Sequence, residues 1–535
     1  MRRTEAMLRG ALAGPVAVAA GLAAGELAAI PLSAFTSPFQ AVAAFLVDHS
    51  PAAAREWAIT TFGTSDKGAL MIGMAVGIVV IAAVAGILQV RRPPVGAVIM
   101  ALFAAFGVVA ALNRPTADVT YALPSIAAGV VSVAVMVVLG RAARVGDHPT
   151  RHELTSDAQP PDEHIPDTTE QPAGGWSRRA FFAAAGVVAI ASAASLLIAR
   201  SAARAGGVLA ERAKLVLPQP KSRAKEIPAG TELDVDGITP FVSSNADFYR
   251  IDTALQVPSL STDDWQLRIH GMVDREITLD WQDLMSMAAQ ERMITLTCVS
   301  NEVGGELAGN ARWLGFPMRD IISRAGPHSD ADMLLSTSVD GWTSGTPLEV
   351  IGDGRDAMLA IGMNGEPLPL EHGYPVRQVI PGLYGYVSAC KWVIDWEITR
   401  FDRAQAYWTQ RGWGVRGPIK TASRIDRPAP LSSHPPGPVV IAGTAWAQHR
   451  GVTKVEVRVD DGPWETATLA TEYSTDTWRQ WQWTWQATPD RYESGQHTVY
   501  CRATDAAGKT QPEQRVPPIP DGATGWHNRV LMIDG

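Results

Sequence analysis

Cys298 lies in the stretch ITLTCVSNEVGGELAGNARW, where an apolar run with Ile294 and Leu296 delivers a thiol to a polar, glycine-containing turn (Ser300, Asn301, Gly304, Gly305). A thiol at a strand end, opening into a polar loop, suits a soft metal ligand or a nucleophile. The other role for a lone cysteine is a small buried apolar residue. The chain has three cysteines, and Cys390 and Cys501 complete the set. None stands at zinc-ligand or CxxC spacing, and they form no disulfide framework. Cys501 alternates with apolar residues in TVYCRA and reads as core.

The elements that must hold Cys298 belong to a chain of two regimes. The chain has 535 residues and a net charge of -8, with no nucleic-acid footprint. Up to about residue 200 Ala, Val, Gly, Ile and Leu dominate; beyond it the composition is that of a water-soluble protein. From Ile238 to Phe401 strands (DWQLRIHGMV, MLLSTSV) mix with short helices (DWQDLMSMAAQ, N-capped by Asp280, and FPMRDIISRAG), an α+β pattern with glycine-rich loops. From about Pro438 short alternating strands follow without helix, with DDGPW as a hairpin turn, which predicts an immunoglobulin-like β-sandwich.

The first regime contains five segments long enough to cross a bilayer: Leu8–Leu32, Ala69–Val90, Val95–Leu112, Tyr121–Leu139 and Ala180–Ile198. Glu26, inside the first, is a functional candidate or reaches the interface from a helix end. Arg2, Arg3, Arg9, Arg91, Arg92, Arg141 and Arg144 assign their loops to the cytoplasm; the loops with Asp48, Glu56, Asp66 and Asp118 then lie outside. Ser177-Arg178-Arg179-Ala180-Phe181-Phe182 before the weakly apolar fifth span resembles a twin-arginine export signal; the alternative is an ordinary positive flank. The expected organisation is a four-helix transmembrane region over 1–144 and a cytoplasmic disordered linker over 145–176. The fifth transmembrane helix follows at 177–200, an external linker at 201–237, a catalytic domain at 238–425 and a sandwich at 426–535. The histidines of the first regime (His49, His148, His152, His164) fall in loops or the linker, and CxxCH is absent, so no haem is expected.

Three motifs in order carry a resemblance: TLTCVSNE; MNGEPLPLEHGYPVRQVIPGLYGYVSACKW; and a tail with GTAW, VRVDDGPW, WQWTW and GWHNRV. Over roughly residues 240–535 the chain resembles the sulfite oxidase family of molybdenum–pterin enzymes. The apolar segments give an N-terminal α-helical transmembrane bundle, and the resemblance implies that an α+β sulfite-oxidase-type molybdopterin-binding domain and an immunoglobulin-like dimerisation domain follow it. It implies Cys298 as the molybdenum ligand, a soft donor deprotonated on binding. It implies that Arg377 forks to the pterin phosphate, that Lys391 adds a point charge and that His372 donates a ring N–H, with backbone N–H groups around Ala389 and Cys390 completing the cradle. The competing role of Arg377 is an ion pair with Glu371 or Glu366. The Cys390 thiol itself reads as packing. Asn245, Phe248, Tyr249 and Arg250, in NADFYRID, are further implied cofactor contacts, as are Ser300, Asn301 and Thr343; Asp340 reads as a turn cap.

The pattern departs from the family around the substrate. Val299-Ser300-Asn301-Glu302-Val303 lacks the family's arginines, Ser388 stands where another is expected, and Trp342 replaces a tyrosine expected beside the metal. Arg250 keeps one positive charge and, with Trp342 and Cys298, is a candidate catalytic residue. Losing two or more cations weakens binding of a small dianion, since each charge-assisted hydrogen bond contributes about 1.5–3 kcal/mol. The expected protein is therefore a multi-pass membrane-anchored oxidoreductase with its catalytic domain outside, handing electrons to or from a cytochrome or a quinone-linked protein. Three activities compete: oxidation of sulfite or another small sulfur compound, reduction of an S-oxide or N-oxide, and non-enzymatic binding through the sandwich.

Overall fold

The computed structural model describes residues 2–32, 34–51, 54, 57, 61–62, 66–114, 117–144, 178–205 and 207–535. The expected linker 145–176, its histidines, Glu56 and Ser177 lie outside the described residues. The chain divides into two compact units, Met1–Gly206 and Gly207–Gly535.

The first unit contains α1 (Arg2–Ala29), α2 (Pro38–Asp48), α3 (Asp66–Arg91), α4 (Val95–Leu112), α5 (Ala122–Arg144) and α6 (Arg178–Ala205). Windows long and apolar enough to cross a membrane occur at Thr4–Ala29, Lys67–Arg91, Val95–Leu112, Val119–Arg144 and Arg179–Leu197. The short helix α2 carries no spanning signal and was not expected; Ser37 caps it, and its Phe45 meets Phe106 of α4 edge-on at 5.4 Å. Small residues bring the helices together. A Cβ on Gly86 of α3 would lie 1.9 Å from the Gly10 carbonyl oxygen of α1, and one on Gly14 would lie 1.8 Å from that of Ala82. Backbones this close require glycine on both helices. Ile72, Leu102 and Val130 point outward instead.

The second unit begins with the helix Val208–Lys214 and a strap along the domain behind it. Arg212 Nε donates to the Leu368 carbonyl (2.7 Å), Lys221 N–H to that of Ala289 (2.8 Å), and Thr471 N–H to that of Gly230 (2.8 Å). Residues 207–237 are thus part of the folded unit, which corrects the expectation of a linker there. Composition hid this, because the strap docks through backbone and side-chain hydrogen bonds more than apolar periodicity.

Two sheets form the α+β domain. In the first, β1 (Gln266–Gly271) pairs with β2 (Ile277–Asp280) and, in parallel, with β10 (Val393–Thr399); β5 (Met333–Ser338) and β6 (Thr343–Pro347) complete the order 2-1-10-5-6. In the second, β3 (Gln290–Thr297), β4 (Ala308–Pro317), β7 (Met358–Met363) and β8 (Glu366–Pro367) follow in order, with β9 (Arg377–Val379) on β7. The second half of β3 and all of β7 are buried on both faces, which accounts for the continuous apolar run of β7. Asp280 caps the helix Trp281–Met285 in a capping box with Asp283, as its position predicts.

The sandwich comprises β11 (Ala422–Arg427), β12 (Ser433–His434), β13 (Gly437–Trp446), β14 (Val452–Val459), β15 (Glu465–Thr466), β16 (Thr468–Leu469), β17 (Arg479–Ala487), β18 (Gly495–Asp505) and β19 (His527–Ile533). They form sheets of order 11-13-17-16 and 12-19-18-14-15 around a core containing Trp481, Trp485 and Cys501. Because β11 pairs with β13 from Ala422 onward, the expected boundary at 425/426 falls inside the first sandwich strand.

Candidate cofactor and substrate cleft

Cys298 follows β3 directly. Its N–H donates to the Leu307 carbonyl (2.9 Å), and Asn301 N–H donates back to the Cys298 carbonyl (3.1 Å), so the loop returns tightly to β4. Arg377 opens β9, and Lys391 lies between the short helix Gly385–Ser388 and β10, bridged to Arg377 through the backbone. Gly373, at φ 108°, permits this: a Cβ there would sit 3.0 Å from the Arg377 Cβ and 3.1 Å from that of Lys391.

These elements line an open cleft with a cavity volume of about 110 Å³. The sequence-predicted residues Phe248, Tyr249, Cys298, Ser300, Trp342, His372, Arg377, Ala389 and Lys391 line it together. Five others do not. Arg250 is exposed and turned to Asp252 (Nε to Oδ2, 2.9 Å). Asn301 uses its Oδ1 to accept from Leu307 N–H (2.9 Å), holding the loop. Thr343 Oγ1 accepts from Tyr407 N–H (2.9 Å), and the Cys390 thiol is sealed in the core. Asn245 lies behind the wall, accepting from Asn364 through its Oδ1 (2.8 Å) and from His372 through its backbone carbonyl. For Arg250, Asn301, Thr343 and Asn245 a polar partner claims the side chain, and core packing claims Cys390. Ser388 likewise turns its hydroxyl back to its own helix, sharing it between the Leu383 and Tyr384 carbonyls (2.9 and 3.0 Å).

The charges are ordered by burial. The Arg377 guanidinium is 5% exposed, stacks over Trp313 at 5.0 Å and donates to the His372 carbonyl (3.1 Å). Among the described residues no carboxylate pairs with it; Glu366 pairs with Arg212 instead (3.4 Å). Burial pushes the Arg377 pKa down to about 10, leaving it cationic at neutral pH. Lys391 donates to Asp252 (2.8 Å) and to the Glu371 carbonyl (3.1 Å), and burial, opposed by Asp252, brings it down to about 8. Burial, then Arg377, pushes His372 down to about 4, so its ring is neutral. Its Nε2 faces the Asn245 carbonyl at 3.0 Å and must carry the proton. Its other nitrogen is then an acceptor, which corrects the expectation of a donated ring N–H. The Ala389 N–H is also spent, on the Gly385 carbonyl (3.0 Å).

Sequence reasoning missed Asp252, Ser338, Trp408 and Trp413, all lining the cleft. The dense aromatics of YWTQRGWG were the available signal for the tryptophans; nothing local announces Asp252 as the partner of a lysine 139 residues away. Asp340 lines the cleft and accepts from Trp342 N–H (3.2 Å), the turn-capping role expected of it.

The donor set fits a molybdenum–pterin group. Cys298 offers a soft sulfur; burial pushes its thiol up, opposed by hydrogen bonds from Ser300. Among the described residues no cluster of three or more His, Cys, Asp or Glu could hold a metal alone, so a metal here would need ligands brought by a cofactor. Among the described residues Arg377 is a buried cation lacking an anion, and the buried Ser338 hydroxyl has no partner.

Comparison with known proteins agrees with this donor set. The family model described as oxidoreductase molybdopterin binding domain matches residues 254–408, and that for the bacterial Ig domain matches 423–500. Sulfite oxidase of Gallus gallus is 26% identical over 324 residues, covering 51% of this chain and 69% of that protein. The uncharacterized oxidoreductase YuiH of Bacillus subtilis (strain 168) is 32% identical over 153 residues, covering 29% of this chain and 74% of that protein. The sulfane dehydrogenase SoxCD from Paracoccus pantotrophus aligns with TM-score 0.45 and 23% identity, over 52% of this chain and 76% of that one. A soft thiol and a buried, unneutralised guanidinium thus share a cleft in a chain that belongs to the sulfite oxidase family of molybdopterin-dependent oxidoreductases.

Proposed function

We propose that this protein is a membrane-anchored molybdenum-cofactor oxidoreductase, with its catalytic unit on the extracytoplasmic side, that transfers oxygen atoms to or from a small sulfur compound. The observation that carries this reading is the convergence of Cys298 and the anion-lacking Arg377 on one cleft. Cys298 would hold the metal, and Arg377 and Lys391 the pterin's anionic end. When bound, the cofactor supplies the two-electron oxygen-atom chemistry. The chain itself supplies a low-dielectric cationic pocket, a neutral His372 and an aromatic approach. Anchoring is supported by the apolar helices and their outward Ile, Leu and Val side chains, sidedness by the arginines beside the cytoplasmic loop positions. An external redox protein would exchange the electrons, and pairing through the sandwich would follow the family pattern.

One observation favours reduction of an S-oxide or N-oxide over oxidation of sulfite. Among the described lining residues the lysine and arginine side chains are Arg377 and Lys391, both assigned to the cofactor, while Trp342, Trp408, Trp413 and Tyr386 form an aromatic wall beside Asp340. Such a wall suits an organic substrate better than a dianion. Metal analysis with electron paramagnetic resonance tests the first reading: molybdenum present in the native protein and lost from Cys298→Ser, with folding retained. A folded native protein isolated from a cofactor-producing host without molybdenum would sink it. Viologen-coupled sulfoxide reduction against ferricyanide-coupled sulfite oxidation separates the two directions.

A further inference from the structure

Arg377 and Lys391 stand side by side in the cleft, yet their surroundings differ. Among the described residues no carboxylate meets Arg377, whereas Asp252 Oδ2 holds the Lys391 ammonium at 2.8 Å. The same oxygen also accepts from Arg250 Nε at 2.9 Å. The Asp252 and Lys391 side chains are 4% and 9% exposed and both residues line the cleft, while the Arg250 side chain is largely in solvent. One carboxylate thus serves two cations beside a third that has none.

A buried ammonium next to a guanidinium is driven to shed its proton, so Asp252 keeps the cradle charged before any anion arrives. An anion placed against Arg377 and Lys391 alters the balance. Lys391 trades one charge-assisted bond for another, Arg377 gains one, and Asp252 keeps Arg250 as its partner. The exchange strands no buried charge, the cost that would otherwise forbid it.

We infer that Asp252 is a placeholder anion, which holds Lys391 in the unloaded cleft and yields it to the cofactor's phosphate while retaining Arg250. The inference rests on the reading that Arg377 and Lys391 bind that phosphate. It makes Asp252 and Arg250 positioning residues for cofactor loading.

The test uses the full chain, solubilised in a phosphate-free detergent from a host that makes no pterin cofactor. Inorganic phosphate is the probe, read by phosphorus magnetic resonance line broadening at about pH 6, below the Lys391 pKa of about 8. The parent should bind phosphate and Arg377→Met should lose it. Asp252→Asn should bind about tenfold more tightly, the scale of one charge-assisted hydrogen bond no longer surrendered. Most of that gain should vanish in a Lys391→Gln background. Arg250→Gln, at an exposed side chain, should weaken binding several-fold, because Asp252 would have no second partner to keep. Unchanged or weaker binding in Asp252→Asn overturns the inference, as does an equal gain in the Lys391→Gln background, which would be charge repulsion alone. If Asp252→Asn does not fold, Arg250→Gln decides, and an unchanged affinity there overturns it. Any of these failures, with phosphate bound by the parent and lost in Arg377→Met, leaves the cradle reading standing. Absence of binding in both the parent and Asp252→Asn overturns the two together.

Discussion

Arg377 is held at a thermodynamic cost that only a ligand can offset. A guanidinium on a residue 5% exposed, with carbonyls but no carboxylate partner among the described residues, is poorly compensated for lost hydration. Arg377→Met should therefore act in opposite directions: the cofactor-free protein gains about 1–3 kcal/mol in denaturant unfolding, while pterin retention falls. A cofactor-free variant less stable than the parent would show that Arg377 is structural. His527 offers a pH test outside the cleft lining, packed against Gly304 of the loop that follows Cys298. Its Nδ1 accepts from Ile425 N–H (2.9 Å), and burial, then nearby Arg529, pushes its pKa down to about 3. The unfolded histidine titrates near 6.5, so between these values the unfolded chain binds the extra proton. Its contribution to stability is complete above about pH 6.5 and lost progressively as pH falls toward 3, at up to about 1.4 kcal/mol per pH unit. Unfolding series across that range should be flatter in His527→Gln; identical slopes would refute the assignment.

At the scale of elements, the loop after β3 and the start of β9 do the positioning. The reciprocal hydrogen bonds of Cys298 with Leu307 and Asn301 fix where the thiol emerges, and the Arg377–Lys391 bridge places two cations side by side. In the helical unit the α1–α3 crossing depends on missing side chains. Gly86→Leu would place a Cβ 1.9 Å from the Gly10 carbonyl oxygen and must separate the helices. Resistance of the detergent-solubilised chain to SDS should fall, with helix content nearly unchanged by circular dichroism; unaltered resistance would mean the crossing is not rigid.

For the molecule as a whole, sidedness is the quantity to measure. The native cysteines are all buried, so background labelling is low. Val119→Cys, exposed before α5, should react with a membrane-impermeant maleimide on intact cells, and Pro93→Cys, between α3 and α4, should not. The reverse result would invert the topology and move the catalytic unit to the cytoplasm.

Long, strongly periodic features were legible in the chain itself. Hydropathy marked the long apolar helices, alternation marked the sandwich strands β13, β14, β17, β18 and β19, and three ordered motifs disclosed the family, because each of these signals is a local run of residue types. The short helix α2, the strap over 207–237 and strand β11 escaped, since their partners are distant in sequence. The same division holds in the cleft. Residue types identified Cys298, Arg377 and Lys391 as chemistry-bearing, whereas only tertiary structure decided that Arg250, Asn301 and Thr343 serve local partners, that Asp252 pairs with Lys391 and that Arg377 has no carboxylate of its own among the described residues. Burial and hydrogen-bond partnership are set by what lies nearby in space, and a linear chain does not carry that information residue by residue.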